Sequence, residues 1–187
     1  GGDWTENKLD TFIAYVKAYL TIFNKYKSKY GWKTVYFDGF AGAGTHIIQA
    51  SQEKNLFSFD YSAEELSETT LYKGAVARVL ELPEPFRFDR YIFVDKDKSN
   101  VESLKQLVNS QPMLSRIAID IQLSDCNQAL QGFAQSLTSK DAALIFLDPF
   151  GMQVNWESIS ALRRHQRSDI WLLIPSGIAV NRLIKRD

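Results

Sequence analysis

The sequence predicts an α/β domain, a doubly wound and mostly parallel sheet with helices on both faces. Three observations predict it. Nearly all-apolar segments such as "AALIFLD" (142–148) alternate with amphipathic helical stretches, as strands buried on both faces require. Glycines crowd the turn after the first strand, in "TVYFDGFAGAG" (34–44). Four consecutive strands run into an aspartate, at Asp38, Asp95, Asp125 and Asp148.

The elements follow in order. Leu9, Phe12, Ile13, Val16, Leu20 and Phe23 recur at the spacing of one helical face, so a long N-terminal helix is expected over about residues 5–27. Asp3 and Glu6 have the spacing of a capping box, and Lys8, Lys17 and Lys25 lie off the apolar stripe. A strand at 34–38 enters the glycine turn, and a short helix follows. Residues 51–72 are polar and acidic with no steady period and read as an insertion. Beyond them the expected order is strand 90–95, helix 99–109, strand 117–123, helix 127–137, strand 142–148, helix 156–165, strand 169–175 and a helix over 178–186.

At 187 residues and zero net charge, the chain fits a single domain spanning 1–187 and does not read as a wholesale polyanion binder. Charge is nevertheless uneven. Residues 1–33 carry six Lys against three acids, and residues 160–187 carry six Lys or Arg against two acids. Residues 51–72 carry five acids against one Lys, so two basic ends flank an acidic middle that could form a local phosphate-facing patch. The single cysteine, Cys126, excludes an internal disulfide framework, and without a His or Cys cluster no metal site is expected. No signal peptide and no membrane-length apolar run appears, so the expected setting is the cytoplasm, away from membranes.

In sheets of this kind ligands bind beyond the carboxyl ends of the strands, beside the first strand. A nicotinamide fingerprint would read G-x-G-x-x-G. Here the order is Gly39-x-x-Gly42-x-Gly44 with Asp38 before it. A carboxylate there repels pyrophosphate and attracts a cation, and S-adenosylmethionine carries both an ammonium and a sulfonium. The expected cofactor contacts are therefore Asp38, Gly39, Phe40, Ala41, Gly42 and Gly44, with Asp95 accepting from the ribose hydroxyls and Asp125 from the adenine amino group. Cys126, beside Asp125, joins that set as a small buried hydrophobe. Asp60 fits the usual spacing of the ribose acid better, but Asp95 opens a full crossover unit and Asp60 does not. In "IFLDPFG" (145–151) Asp148 and the Pro149 carbonyl are candidates to accept the hydrogens of a target amino group, and Phe150 to stack on a base. The lesser alternative for this loop is a plain Asp-Pro turn with Phe150 in the core. Cytosine-carbon methylation would need a cysteine beside this loop, and Cys126 follows strand three instead.

Taken in order, "WTENKLDTFIAYVKAYL", "YFDGFAGAG", "GAVARVLEL", "FVDKDKSNVESL" and "LDPFG" resemble the three-Cys-motif partner protein family over nearly the whole chain. The resemblance implies a Rossmann-like class I methyltransferase fold and S-adenosylmethionine as cofactor. It also implies a protein partner similar to radical S-adenosylmethionine proteins with three clustered cysteines. It supplies no established substrate. On the family pattern Asp38, Gly42 and Gly44 match the glycine motif, Asp95 the ribose acid and Asp125 the adenine contact. Asp148-Pro149-Phe150 matches the amino-methyltransferase loop in part, lacking its second proline and carrying Gly151 where that loop has its aromatic. The function expected is amino-group methylation of a nucleic acid or a nucleic-acid-associated target. The alternatives are a non-catalytic subunit that uses the pocket to dock its partner and, on weaker grounds, a nicotinamide oxidoreductase. Only five strands are readable before Asp187, so the final strands of the full fold are expected to be missing.

Overall fold

The computed structural model describes residues 2–43, 74–149 and 153–173. The helix expected after the glycine turn, the 51–72 insertion with Asp60, and the 178–186 helix lie outside them, as do Gly44 and Phe150. Helix α1 (Gly2–Tyr30) leads into β1 (Lys33–Asp38), and a helix α2 over 74–80 precedes β2 (Arg90–Asp95). Then come α3 (Lys98–Asn109), β3 (Ala118–Leu123), α4 (Cys126–Ser136) and β4 (Asp141–Leu147). The described chain closes with α5 (Trp156–Ser160), a 3₁₀ turn at Ala161–Arg164, and β5 (Ser168–Leu172).

The five strands form one all-parallel sheet in the order β3-β2-β1-β4-β5. Right-handed crossovers then dictate where the helices go. From β1 to β2 to β3 the chain steps one way across the sheet, which puts α2 and α3 on one face. From β3 it crosses back over β2 and β1 to β4 and continues outward to β5, so α4 and α5 fall on the other face. The two cores match this: Tyr36, Tyr91, Phe93 and Phe146 pack with Leu9, Phe12, Val16, Val76, Leu80 and Leu104 on one face. Val35, Phe37, Ile92, Val94 and Ile145 pack with Leu130, Phe133 and Leu162 on the other. The architecture is a doubly wound, Rossmann-like α/β fold.

Three sequence expectations change. Helix α1 begins at Gly2, ahead of the expected start near residue 5, so Asp3 lies inside the helix. The expected helix over 156–165 is a five-residue α-helix continued by a 3₁₀ turn. Strand β5 ends at Leu172 rather than at 175. The apolar stripe of α1 is also wider than expected. Tyr15 and Tyr19 join it, and Phe12 packs 4.4 Å from Phe146 and 5.4 Å from Trp171, ring centre to ring centre. Among the described residues no helix is long and apolar enough to cross a membrane.

Tyr19 Oη is buried and lacks a hydrogen-bond partner among the described residues. A buried hydroxyl in that state costs about 1–3 kcal/mol. Tyr19→Phe keeps the ring against Phe23 and Phe88 and is expected to stabilise the fold by about 1 kcal/mol or more. Urea unfolding checks this, with a raised midpoint at unchanged slope.

Candidate functional site

The chain changes direction across the sheet between β1 and β4, so their carboxyl ends leave the crevice typical of this topology. The turn after β1 is strung across it. Gly39 N donates to Phe146 O of β4 at 3.0 Å, and Ala41 N donates to Val94 O of β2 at 2.9 Å. Gly42 adopts φ +59°, the left-handed region that side-chain-bearing residues rarely enter. Its N–H donates to Asp95 Oδ2 at 2.8 Å. The turn is thus held by both neighbouring strands and by the carboxylate closing β2.

Asp38, Asp95 and Asp148 are gathered at this edge, at or directly after the ends of β1, β2 and β4. Asp38 is fully buried and accepts from Phe40 N at 3.0 Å. Tyr36, two residues earlier on the same strand face, donates its hydroxyl to Asp38 Oδ2 at 3.4 Å. Burial, then the Asp38 charge and this hydrogen bond, push the Tyr36 phenol well above its ordinary value. Asp95 Oδ1 accepts from Asp97 N at 2.8 Å and Asn100 Nδ2 at 3.2 Å. A carboxylate has about four acceptor positions. Among the described residues three on Asp95 are filled by the chain itself, which leaves capacity there for about one further donor at Oδ2.

Asp125 is the N-cap of α4, its Oδ1 accepting from Asn127 N at 2.9 Å and Gln128 N at 3.3 Å. It is exposed at the same edge of the sheet as the other three, one strand further out. Asp148 is half-buried and Pro149 buried.

Two placements alter the sequence argument. Gly39 was expected among the cofactor contacts, but a Cβ there would lie 2.5 Å from Cys126 Sγ and 2.7 Å from Leu147 Cδ2. Gly39 is therefore small because the protein's own side chains fill the space. Cys126 is buried at the start of α4, directly behind that glycine. Burial, with the nearby Asp125 and Asp38 charges, pushes its thiol up to about 12. Such a thiol is protonated at neutral pH and is a packing group, not a nucleophile.

Sequence reasoning missed Asn127. Its amide donates to Gln153 O at 2.9 Å, and its carbonyl accepts from Asn155 N at 2.8 Å, clamping the segment after the "LDPFG" loop onto α4. The two contacts span 26 and 28 residues, so no local pattern could have flagged it. Asn100 and Tyr36, the supports of Asp95 and Asp38, are local, at spacings of five and two residues.

Gly39→Ala is expected to destabilise the fold by about 1–3 kcal/mol, the usual range for overpacking. Adding Cys126→Ala removes one of the two clashes and should recover part of the loss in chemical denaturation. The raised thiol also has a pH signature. An unfolded cysteine releases its proton near about 8.5, whereas the folded Cys126 holds it to about 12. This group leaves stability unchanged below about pH 8.5 and lowers it as pH rises from there toward 12, since only the unfolded chain then ionises. Cys126→Ala should remove about one proton from the slope of stability against pH in that window.

No family model matches the chain, and no curated protein matches it. Among solved structures it is similar to a conserved hypothetical protein of Streptococcus pyogenes, at 15% identity and a TM-score of 0.40, over 84% of this chain and 81% of that one. It is also similar to protein LPL1258 of Legionella pneumophila strain Philadelphia 1, described as DUF519, at 12% identity and a TM-score of 0.38. There the match covers 78% of this chain and spans 58% of the other. At these scores neither neighbour carries an assignment.

Proposed function

We propose that this chain is a methyltransferase-like domain that takes S-adenosylmethionine at the carboxyl edge of its sheet. Its proposed target is an amino group of a nucleic acid or of a nucleic-acid-associated molecule. The observation that supports this most is the glycine turn strung between β2 and β4 among three strand-end carboxylates, Asp38, Asp95 and Asp148. That donor set suits a cationic ligand bearing hydroxyls and opposes a pyrophosphate, which disfavours a nicotinamide cofactor. The cofactor, when bound, supplies an electrophilic methyl group on a sulfonium.

The residues have distinct work in this reading. Gly42, with Gly44 beyond the described residues, lets the backbone approach the methionine end. Asp95 accepts from a ribose hydroxyl through the capacity left at Oδ2. Asp125 receives the adenine amino group while its other oxygen caps α4. Asp148 and the Pro149 carbonyl accept hydrogens from the target amine and so turn its lone pair toward the methyl. Phe150, outside the described residues, stacks on a base. Asn127 positions the far end of that loop.

A second reading has its own support. Because Asp95 already accepts three hydrogen bonds from the chain, the edge is also consistent with a non-catalytic subunit. Its pocket would dock a protein partner of the three-Cys-motif, radical S-adenosylmethionine-like type.

Calorimetric titration with S-adenosylhomocysteine, with and without that partner, separates the two. The catalytic reading expects binding by the chain itself, weakened by about 1.5–3 kcal/mol in Asp95→Ala, the worth of a hydrogen bond to a charged group. Asp148→Ala should keep cofactor affinity yet lower tritiated methyl transfer to nucleic acid by about 10²-fold or more. No cofactor binding in either titration replaces the enzyme with the docking subunit.

A further inference from the structure

We infer that the opposite, amino-terminal edge of the sheet is a second site, a binding surface for single-stranded nucleic acid. Here α1 ends and β1, β4 and β5 begin. The sequence "KYKSKY" (25–30) places two Lys-Tyr pairs, Lys25-Tyr26 and Lys29-Tyr30, four residues apart on the last turns of α1. That spacing sets both pairs on one helix face. Tyr26 and Tyr30 are 37% and 41% exposed, unusual for rings with a core within reach. Each lysine lies over the ring beside it, Lys25 Nζ 5.5 Å from the Tyr26 centre and Lys29 Nζ 5.1 Å from that of Tyr30. Trp32 extends the aromatic surface, stacked on Tyr30 at 4.7 Å with Arg167 5.3 Å from its ring centre.

The surface is built, not incidental. Lys140 Nζ donates to Tyr30 O at 2.9 Å, Arg167 donates to Ser139 O, and His165 Nε2 bonds Thr138 O at 3.0 Å. These bonds fasten the end of α1, the turn before β4 and the "RRHQR" run before β5 into one edge. On that run Arg163 and Arg164 line a groove of about 610 Å³ beside the last turn of α4. Among the described residues none of Lys25, Lys29, Lys33, Arg163 and Arg164 forms an ion pair, whereas Lys27 is taken by Asp89 and Arg90 by Asp120. Unpaired cations suit phosphates, and rings left half-exposed among them suit unpaired bases, every one of which has a face to stack. An acidic peptide would pair with the cations alone, and a membrane surface, whose headgroup level also takes up tyrosine and tryptophan rings, is the competitor that the test must exclude. β1 separates this edge from the cofactor edge by about 20 Å, so a strand held here would reach the candidate site only by running along the molecule.

The test is fluorescence anisotropy of the full chain with labelled oligouridylate and oligothymidylate across a salt series, without cofactor. Affinity should fall as salt rises, with a log–log slope of about −0.7 per phosphate neutralised. The paired substitution Lys25→Glu, Lys29→Glu should weaken binding by about tenfold or more at low salt and flatten that slope. Tyr30→Ala should weaken it by about 5- to 150-fold while Tyr30→Phe retains it. Circular dichroism melts confirm that these surface variants fold. Saturating S-adenosylhomocysteine should leave this binding unchanged, so failure of the cofactor reading does not touch it. The proposal is overturned by absence of binding at low salt, or by binding that survives the Lys25→Glu, Lys29→Glu pair. It is likewise overturned by Tyr30→Ala binding as well as wild type, and by duplex DNA or anionic vesicles outcompeting the single strand.

Discussion

Strand β1 is paired on both edges and covered on both faces, and the rest of the molecule is arranged around that burial. Residues Thr34 to Asp38 are all buried. Their backbone groups are satisfied by β2 on one side and β4 on the other. Their side chains must meet a helix layer on each face, and the crossovers that bring β2 and β4 alongside deliver those layers. The same constraint makes the crevice. The chain leaves β1 toward β2 and leaves β4 toward β5, in opposite directions, so a crevice opens between their carboxyl ends and a turn is needed to span both neighbours of β1. The Gly39–Gly42 segment is that turn.

Charge is then concentrated where the sheet ends. Asp38 is fully buried, an expensive position for a carboxylate unless hydrogen bonds meet it. Phe40 N and the Tyr36 hydroxyl are among those that do. Asp95 is partly exposed and serves as the fastening between β2, the glycine turn and the start of α3. Its own chain thus preorganises it, and a ligand would have to work with one acceptor position or displace Gly42 N.

The two edges of the sheet have opposite character. Parallel strands put every carboxyl end on one side and every amino end on the other, and residue choice sharpens the contrast. Aspartates close or follow β1 to β4, whereas Lys33 opens β1 and Lys140 and Arg167 precede β4 and β5; of the acids at the amino edge, Asp89 is paired with Lys27 and Asp141 accepts from Thr138. Aromatic residues follow the same division of labour. Those that line the core, such as Phe12 and Phe146, tie α1 to the sheet, and Tyr26 and Tyr30 on its last turns stand half in water.

The strands and most helices were legible in the sequence because their signals are local. A run such as "RYIFVD" is apolar at every position that two helix layers bury, and its bounds agree with β2 residue for residue. The strand-end aspartates were legible for the same reason. Other features depend on contacts between distant segments and were not. Gly39 looks from the sequence like room for a ligand, and only the packing of α4 against β4 shows that Cys126 and Leu147 occupy that room. Asn127 has no pattern of its own and acquires its role from a loop 26 residues away. Asp95 reads as a free acceptor until the fold brings Gly42, 53 residues before it, within 2.8 Å. Periodicity and turn chemistry are written along the chain, and so the sequence by itself determined the layers and the edge where the strand-end aspartates gather. Which atoms remain available at that edge was decided by tertiary structure alone, because hydrogen-bond capacity and empty volume are properties of neighbours in space.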